Sequence, residues 1–202
     1  MTLVGFVKLF QKVKDYLKKL GVKAEEPKII EEPTLLIKKL VLVPNPKYQG
    51  DKLWGKRPIS FITKIIVHQE LGEGNTVAVH NYHISDNSHL KKGGAPKIAY
   101  HYTIEKDGTV YNVNDLTDVV WHCGKQNIIS IGIMLCGDFT GPSHIGKSEP
   151  TKAQTRSLKQ LLEYLITELR LNKKAIYGHN DFGKDNCPGI VITNVIKEFK
   201  SA

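Results

Sequence analysis

The chain has 202 residues, enough for one domain of ordinary size with an appendage. Hydrophobic residues make up 41% and charged residues 24%, and no apolar run approaches the ~20 residues of a bilayer span, which excludes a helical membrane protein. Three cysteines exclude a disulfide framework, and of the net charge of +9 residues 1–60 carry +7 (13 Lys/Arg against 6 Asp/Glu), so the remaining 142 residues are nearly neutral and a nucleic-acid reading of the whole chain is unsupported.

In chain order, Leu3, Phe6, Phe10, Val13, Leu17 and Leu20 recur at three- and four-residue steps among five lysines, and Gly21 follows as a C-cap. This predicts a cationic amphipathic helix, suited to an anionic surface or membrane contact through residues 1–20. Lys8 and Lys12 interrupt any apolar core of a signal peptide. Ala24 to Pro33, with Glu-Glu-Pro twice, reads as a linker, so residues 1–34 form an arm and 35–202 the main domain. Leu35–Val43 is strand-like and Pro44-Asn45-Pro46 turns the chain. Ile62–His68 predicts a buried strand, Val77–Ser85 a short helix, and Ala99–Glu105 with Thr109–Asn112 a hairpin around Lys106-Asp107-Gly108. Ile129–Cys136 is a further strand. Thr151-Lys152-Ala153-Gln154 is a capping box for a helix whose stripe is Leu158, Leu161, Leu162, Leu165 and Leu169. A strand at Ala175–Tyr177 and a helix at Ile192–Lys200 close the domain. The alternation predicts an α/β fold, a central mixed β-sheet flanked by helices.

Two of these strands end in histidine, His68 and His179, and Cys187-Pro188-Gly189 follows His179 by eight residues. Two imidazoles and a thiolate suit zinc, and three protein ligands leave one tetrahedral position open. Strand-end histidines also serve as hydrogen-bonded structural residues, and spacing alone leaves both readings standing.

Read in order, His68, Ala99-Tyr100-His101-Tyr102 through Gly108-Thr109-Val110-Tyr111, Trp121-His122-Cys123-Gly124, Asn127, Ser130-Ile131-Gly132-Ile133, Gly137-Asp138-Phe139 and Gly178-His179 with Cys187-Pro188-Gly189 resemble the zinc N-acetylmuramoyl-L-alanine amidases of the T7-lysozyme and peptidoglycan-recognition type. The resemblance covers about residues 60–195. It implies that His68, His179 and Cys187 bind Zn2+ and that Tyr100 stands beside the activated water. It further implies hydrolysis of the amide between muramic acid and L-Ala of the stem peptide, with peptidoglycan as partner. His122, Trp121, Asn127 and His101 match positions along the substrate groove. Alternation along a strand sets His101 on the side opposite Tyr100, which leaves a core role as open as a groove role.

The chain departs from the family two residues before the cysteine, where catalytic relatives carry Lys or Thr and this sequence has Asp185 beside Lys184. That Lys or Thr donates to the oxyanion, and a carboxylate donates no hydrogen bond unless protonated, so either Lys184 takes over the donation, or Asp185 acts as a general base for the zinc water, or the role is absent and turnover is slow. Met134 occupies a position where some branches carry an acid, and Glu70 is a further acid near His68. The expected protein is a monomeric phage-type endolysin, made in a host cytoplasm without a signal peptide and acting at the bacterial cell wall. A non-catalytic peptidoglycan-binding module on the same fold is the alternative, and Cys187 argues for the enzyme.

Overall fold

A computed structural model describes residues 34–50, 53–140 and 149–202. The amphipathic helix and the Glu/Pro linker expected before residue 34 lie outside the described residues. In chain order the elements are β1 (Ile37–Lys39), β2 (Gly55–Lys56), β3 (Lys64–Gln69), α1 (Thr76–Ile84), β4 (Tyr102–Ile104), β5 (Val110–Asn112), β6 (Asp118–Val119), β7 (Ser130–Leu135), α2 (Lys152–Glu168), β8 (Ile176–Gly178) and α3 (Ile190–Ser201). Six strands form a mixed sheet in the order β1-β5-β4-β7-β3-β8, and β2 pairs with β6 in a separate antiparallel ribbon.

The apolar runs of β3 and β7 are continuous rather than alternating, because both strands lie in the middle of the sheet and both faces are covered. On one face Ile65, Val67, Ile131, Ile133 and Leu135 pack against Leu158, Leu161, Leu162 and Leu165 of α2 and Ile192, Ile196 and Phe199 of α3. On the other, Met134 packs with Val79 of α1, Ile98 and Cys136. The expected capping box opens α2: Thr151 Oγ1 accepts the Gln154 N–H at 3.0 Å, and the Gln154 side chain accepts the Thr151 N–H at 3.1 Å.

Two expectations are corrected by local geometry. Only Ile37–Lys39 of the segment Leu35–Val43 joins the sheet, as an edge strand parallel to β5. Beyond it Val41 and Val43 are exposed while Leu42 is buried, and the Asn45 amide anchors the following turn by donating to the carbonyls of Ile84 and Gly93. The hairpin forms as expected, but its first strand begins at Tyr102 rather than Ala99. The Tyr100 carbonyl accepts from the Asn114 side chain, and the chain bends at His101.

What positions the site is the direction of the strands. β7, β3 and β8 are parallel neighbours, and Val67 of β3 pairs with Gly178 of β8. Their carboxyl ends therefore open on the same edge, where ligand sites of α/β sheets form.

Candidate metal centre

His68 lies near the end of β3 and is 1% exposed, whereas His179 immediately follows β8. The register that pairs Val67 with Gly178 brings the two rings to 4.4 Å between centroids. Cys187 arrives from a loop that ends in Gly189, with φ of 89°. A Cβ at Gly189 would collide with the Phe139 carbonyl oxygen, so only glycine lets this loop approach the sheet. The ligand atoms of His68, His179 and Cys187 lie within 4.8 Å of one another, and Cys187 Sγ is 3.8 Å from His68 Nδ1. Tetrahedral zinc with bonds of ~2.0–2.3 Å holds its ligand atoms about 3.6 Å apart, so the donor set fits such an ion in type, and the Cys187–His68 pair at 3.8 Å is close to that spacing.

The electrostatics suit a cation. Burial and the neighbouring His122 and His179 hold the His68 imidazolium well below its ordinary range, and burial lowers His179 to about 4, so both rings are neutral and can ligate. Burial pushes the Cys187 thiol up to about 11, opposed by a backbone N–H from Gln69 and the charge of Lys184. A bound cation reverses that balance and favours the thiolate.

Around this set, the Tyr100 ring lies 5.1 Å from that of His68, and burial raises the pKa of its phenol, so it stays protonated. Lys184 and Asp185 are both exposed, and of the two it is the Lys184 charge that acts on His179 and Cys187. Glu70 binds the N–H of Gly74 with one carboxylate oxygen (2.7 Å) and that of Gly137 with the other (3.1 Å). It is a clasp between loops rather than a free base. Met134 is fully buried.

The residues expected along the groove divide. His122 is 6% exposed, and its Nδ1 is 3.0 Å from His68 Nε2 while its Nε2 is 3.1 Å from Ser130 Oγ. His101 is fully buried: its Nδ1 accepts the Gly132 N–H at 3.0 Å, and its Nε2 lies 3.0 Å from the Asp118 carbonyl oxygen and 3.2 Å from Arg57 Nη2. That corrects the expectation of a groove position. The bend at His101 also corrects the expected alternation, for its ring lies 5.9 Å from that of His122, in the same cluster that Tyr100 joins. Trp121 packs edge-on against the buried Trp54 at 5.3 Å, with Lys91 Nζ 5.6 Å from its ring centre. Asn127 accepts the Cys123 N–H at 2.6 Å, a contact that shapes its own loop. Cys123 and Cys136 are buried, as expected of small apolar residues.

Sequence reasoning passes over Gln69. Its Oε1 accepts the Phe139 N–H at 2.5 Å, and its Nε2 donates to the Asn186 carbonyl and, at 3.1 Å, to Thr140 Oγ1. One side chain thus ties the loop carrying Cys187 to the end of β7. The available signal is an amide at the end of an apolar strand, where burial demands partners.

The chain is 30% identical over 112 residues to Peptidoglycan-recognition protein SC1a of Drosophila melanogaster, covering 55% of this chain and 57% of that protein. It is 33% identical over 100 residues to the Endolysin of Enterobacteria phage T3, covering 48% of this chain and 63% of that protein. The chain thus spans less than two-thirds of the length of either relative. The fold matches that of the Ph2119 endolysin from a Thermus scotoductus MAT2119 bacteriophage with a TM-score of 0.61 at 22% identity, over 82% of this chain and 99% of that one. Residues 56–190, which run from β2 to the start of α3 and include the whole donor set with Tyr100, match the family described as N-acetylmuramoyl-L-alanine amidase (Amidase_2), and the chain belongs to that family.

Proposed function

We propose that the protein hydrolyses the amide between N-acetylmuramic acid and the L-alanine of the peptidoglycan stem peptide, with one zinc ion held by His68, His179 and Cys187. The observation that carries this reading is the convergence of two neutral imidazoles and a cysteine sulfur within 4.8 Å at the carboxyl ends of β3 and β8. Zinc, when bound, supplies an activated water and polarises the scissile carbonyl. Tyr100 keeps its proton and donates it in a hydrogen bond to the oxygen that gains charge as the amide is attacked. Lys184 takes over the hydrogen-bond donation to that oxygen that Lys or Thr makes in relatives, and Asp185 stays exposed to water. Likeness to the phage T3 protein supports cell lysis as the setting, with action at the bacterial wall.

The test is mass spectrometry of digested murein. We expect release of free stem peptide with an L-Ala amino terminus, abolished by chelator and by Cys187→Ser. Murein that is bound but left uncut by the zinc-loaded protein would reject hydrolysis and establish a binding module instead.

A further inference from the structure

Ser130 is the first residue of β7 and fully buried, and its hydroxyl oxygen lies 2.7 Å from the Gln126 carbonyl oxygen and 3.1 Å from His122 Nε2. A carbonyl can only accept, so at that separation the single hydroxyl proton points at Gln126. Ser130 Oγ then presents only lone pairs to His122, and Nε2 of that ring must carry a proton and donate it. A neutral imidazole protonated on Nε2 has its lone pair on Nδ1, and His122 Nδ1 is the atom 3.0 Å from His68 Nε2. This second bond therefore runs from His68 Nε2–H to His122 Nδ1. His68 is left with one lone pair, on Nδ1, the atom that faces Cys187 Sγ at 3.8 Å.

We infer that Ser130 and His122 are positioning residues, which together hold His68 in the Nε2–H tautomer and so aim its Nδ1 lone pair into the donor set. The inference rests on the reading of His68 as a metal ligand. The backbone is built for the chain of bonds. Ser130 and Gly132 share one side of β7, and a Cβ at Gly132 would stand 2.7 Å from His122 Cγ, so the ring lies where only a glycine leaves room. The Gln126 carbonyl that starts the chain belongs to the short helical turn Gly124–Ile129. That turn is pinned by Asn127 to Cys123 and by Lys64 Nζ to the Gln126 side chain at 2.8 Å. With both ring nitrogens engaged and 6% of its surface exposed, His122 acts on His68 and not on substrate. Ligating histidines are generally oriented by a partner on the other ring nitrogen, and loss of that partner costs ~10–100-fold in metal affinity.

The experiment uses the full chain labelled with 15N-histidine. In the zinc-free wild type, two-bond 1H–15N correlation spectra are expected to show His68 and His122 both as Nε2–H tautomers; His68 found as Nδ1–H overturns the inference. Zinc affinity is then measured by competition with a chromophoric chelator. Ser130→Ala is expected to bind zinc ~10–100-fold more weakly, and Ser130→Thr, which keeps the hydroxyl, to recover most of the loss. Equal affinity in Ser130→Ala and wild type also overturns it. A wild type that takes up no zinc removes the metal reading, and the zinc-free spectrum still decides the proton order by itself.

Discussion

The role of Tyr100 is implied by the resemblance, and the structure adds a ring 5.1 Å from that of His68 and a phenol that burial keeps protonated. If it donates to the transition state more strongly than to the ground state, Tyr100→Phe lowers kcat by ~10²-fold or more with little change in KM. Steady-state kinetics on a soluble muropeptide checks this, and an unchanged kcat would return the ring to a packing role. At the neighbouring departure, Lys184→Ala is expected to lose more activity than Asp185→Ala in the same assay, because the lysine charge is the one that reaches His179 and Cys187. The reverse order would make Asp185 the functional residue. Strand-end position and side-chain chemistry make His68, His179 and Cys187 a candidate set in the sequence, the resemblance singles them out as ligands, and the structure brings their ligand atoms within 4.8 Å of one another. Gln69, Ser130 and Gly132 are not legible in the sequence, since each acts across strands or loops through a register that no local pattern encodes. His101 is set in the groove by the resemblance alone, and the structure buries it.

The helices and the central strands are readable because their signals are local and strong. α2 carries a leucine stripe at helical spacing behind a complete capping box, and every stripe residue from Leu158 to Leu165 is fully buried. Truncating Leu161 to Ala removes buried volume between α2 and the sheet and is expected to cost ~2–5 kcal/mol, measured by urea denaturation. Thr151→Ala, which removes the cap alone, is expected to cost ~1 kcal/mol, and a larger loss than Leu161→Ala would contradict this account of the helix. β1 is the element the sequence describes least well. At a sheet edge the apolar run outlasts its pairing, and the prolines that follow supply no N–H for a longer ladder. The Cys187 loop depends on Gly189, so Gly189→Ala is expected to weaken zinc binding while leaving α2 and the sheet intact, as judged by circular dichroism.

At the scale of the whole molecule, buried histidines couple stability to pH. Burial lowers both His83 and His101 to about 3, well below the ~6.5 of an unfolded chain. Between those values the unfolded chain binds protons that the native one refuses. Stability is therefore full above about pH 6.5 and falls as pH drops toward 3, by up to ~1.4 kcal/mol per pH unit for each group. Thermal melts of the zinc-free protein from pH 7 to pH 4.5 should show a steadily falling Tm; a flat profile would mean that these rings titrate alike in both states. The strand order carries a consequence for synthesis. β3 lies between β7 and β8, and β8 is the last of these sheet strands in chain order. Until residues 176–187 emerge, a nascent chain holds β3 with one bare edge and His68 with neither of its partner donors. The candidate donor set is thus closed only once β8 and the loop to Cys187 have been made, by the same pairing that covers the open edge of β3, and a chain stalled before that point lacks two of the three donors and is exposed to edge-to-edge association.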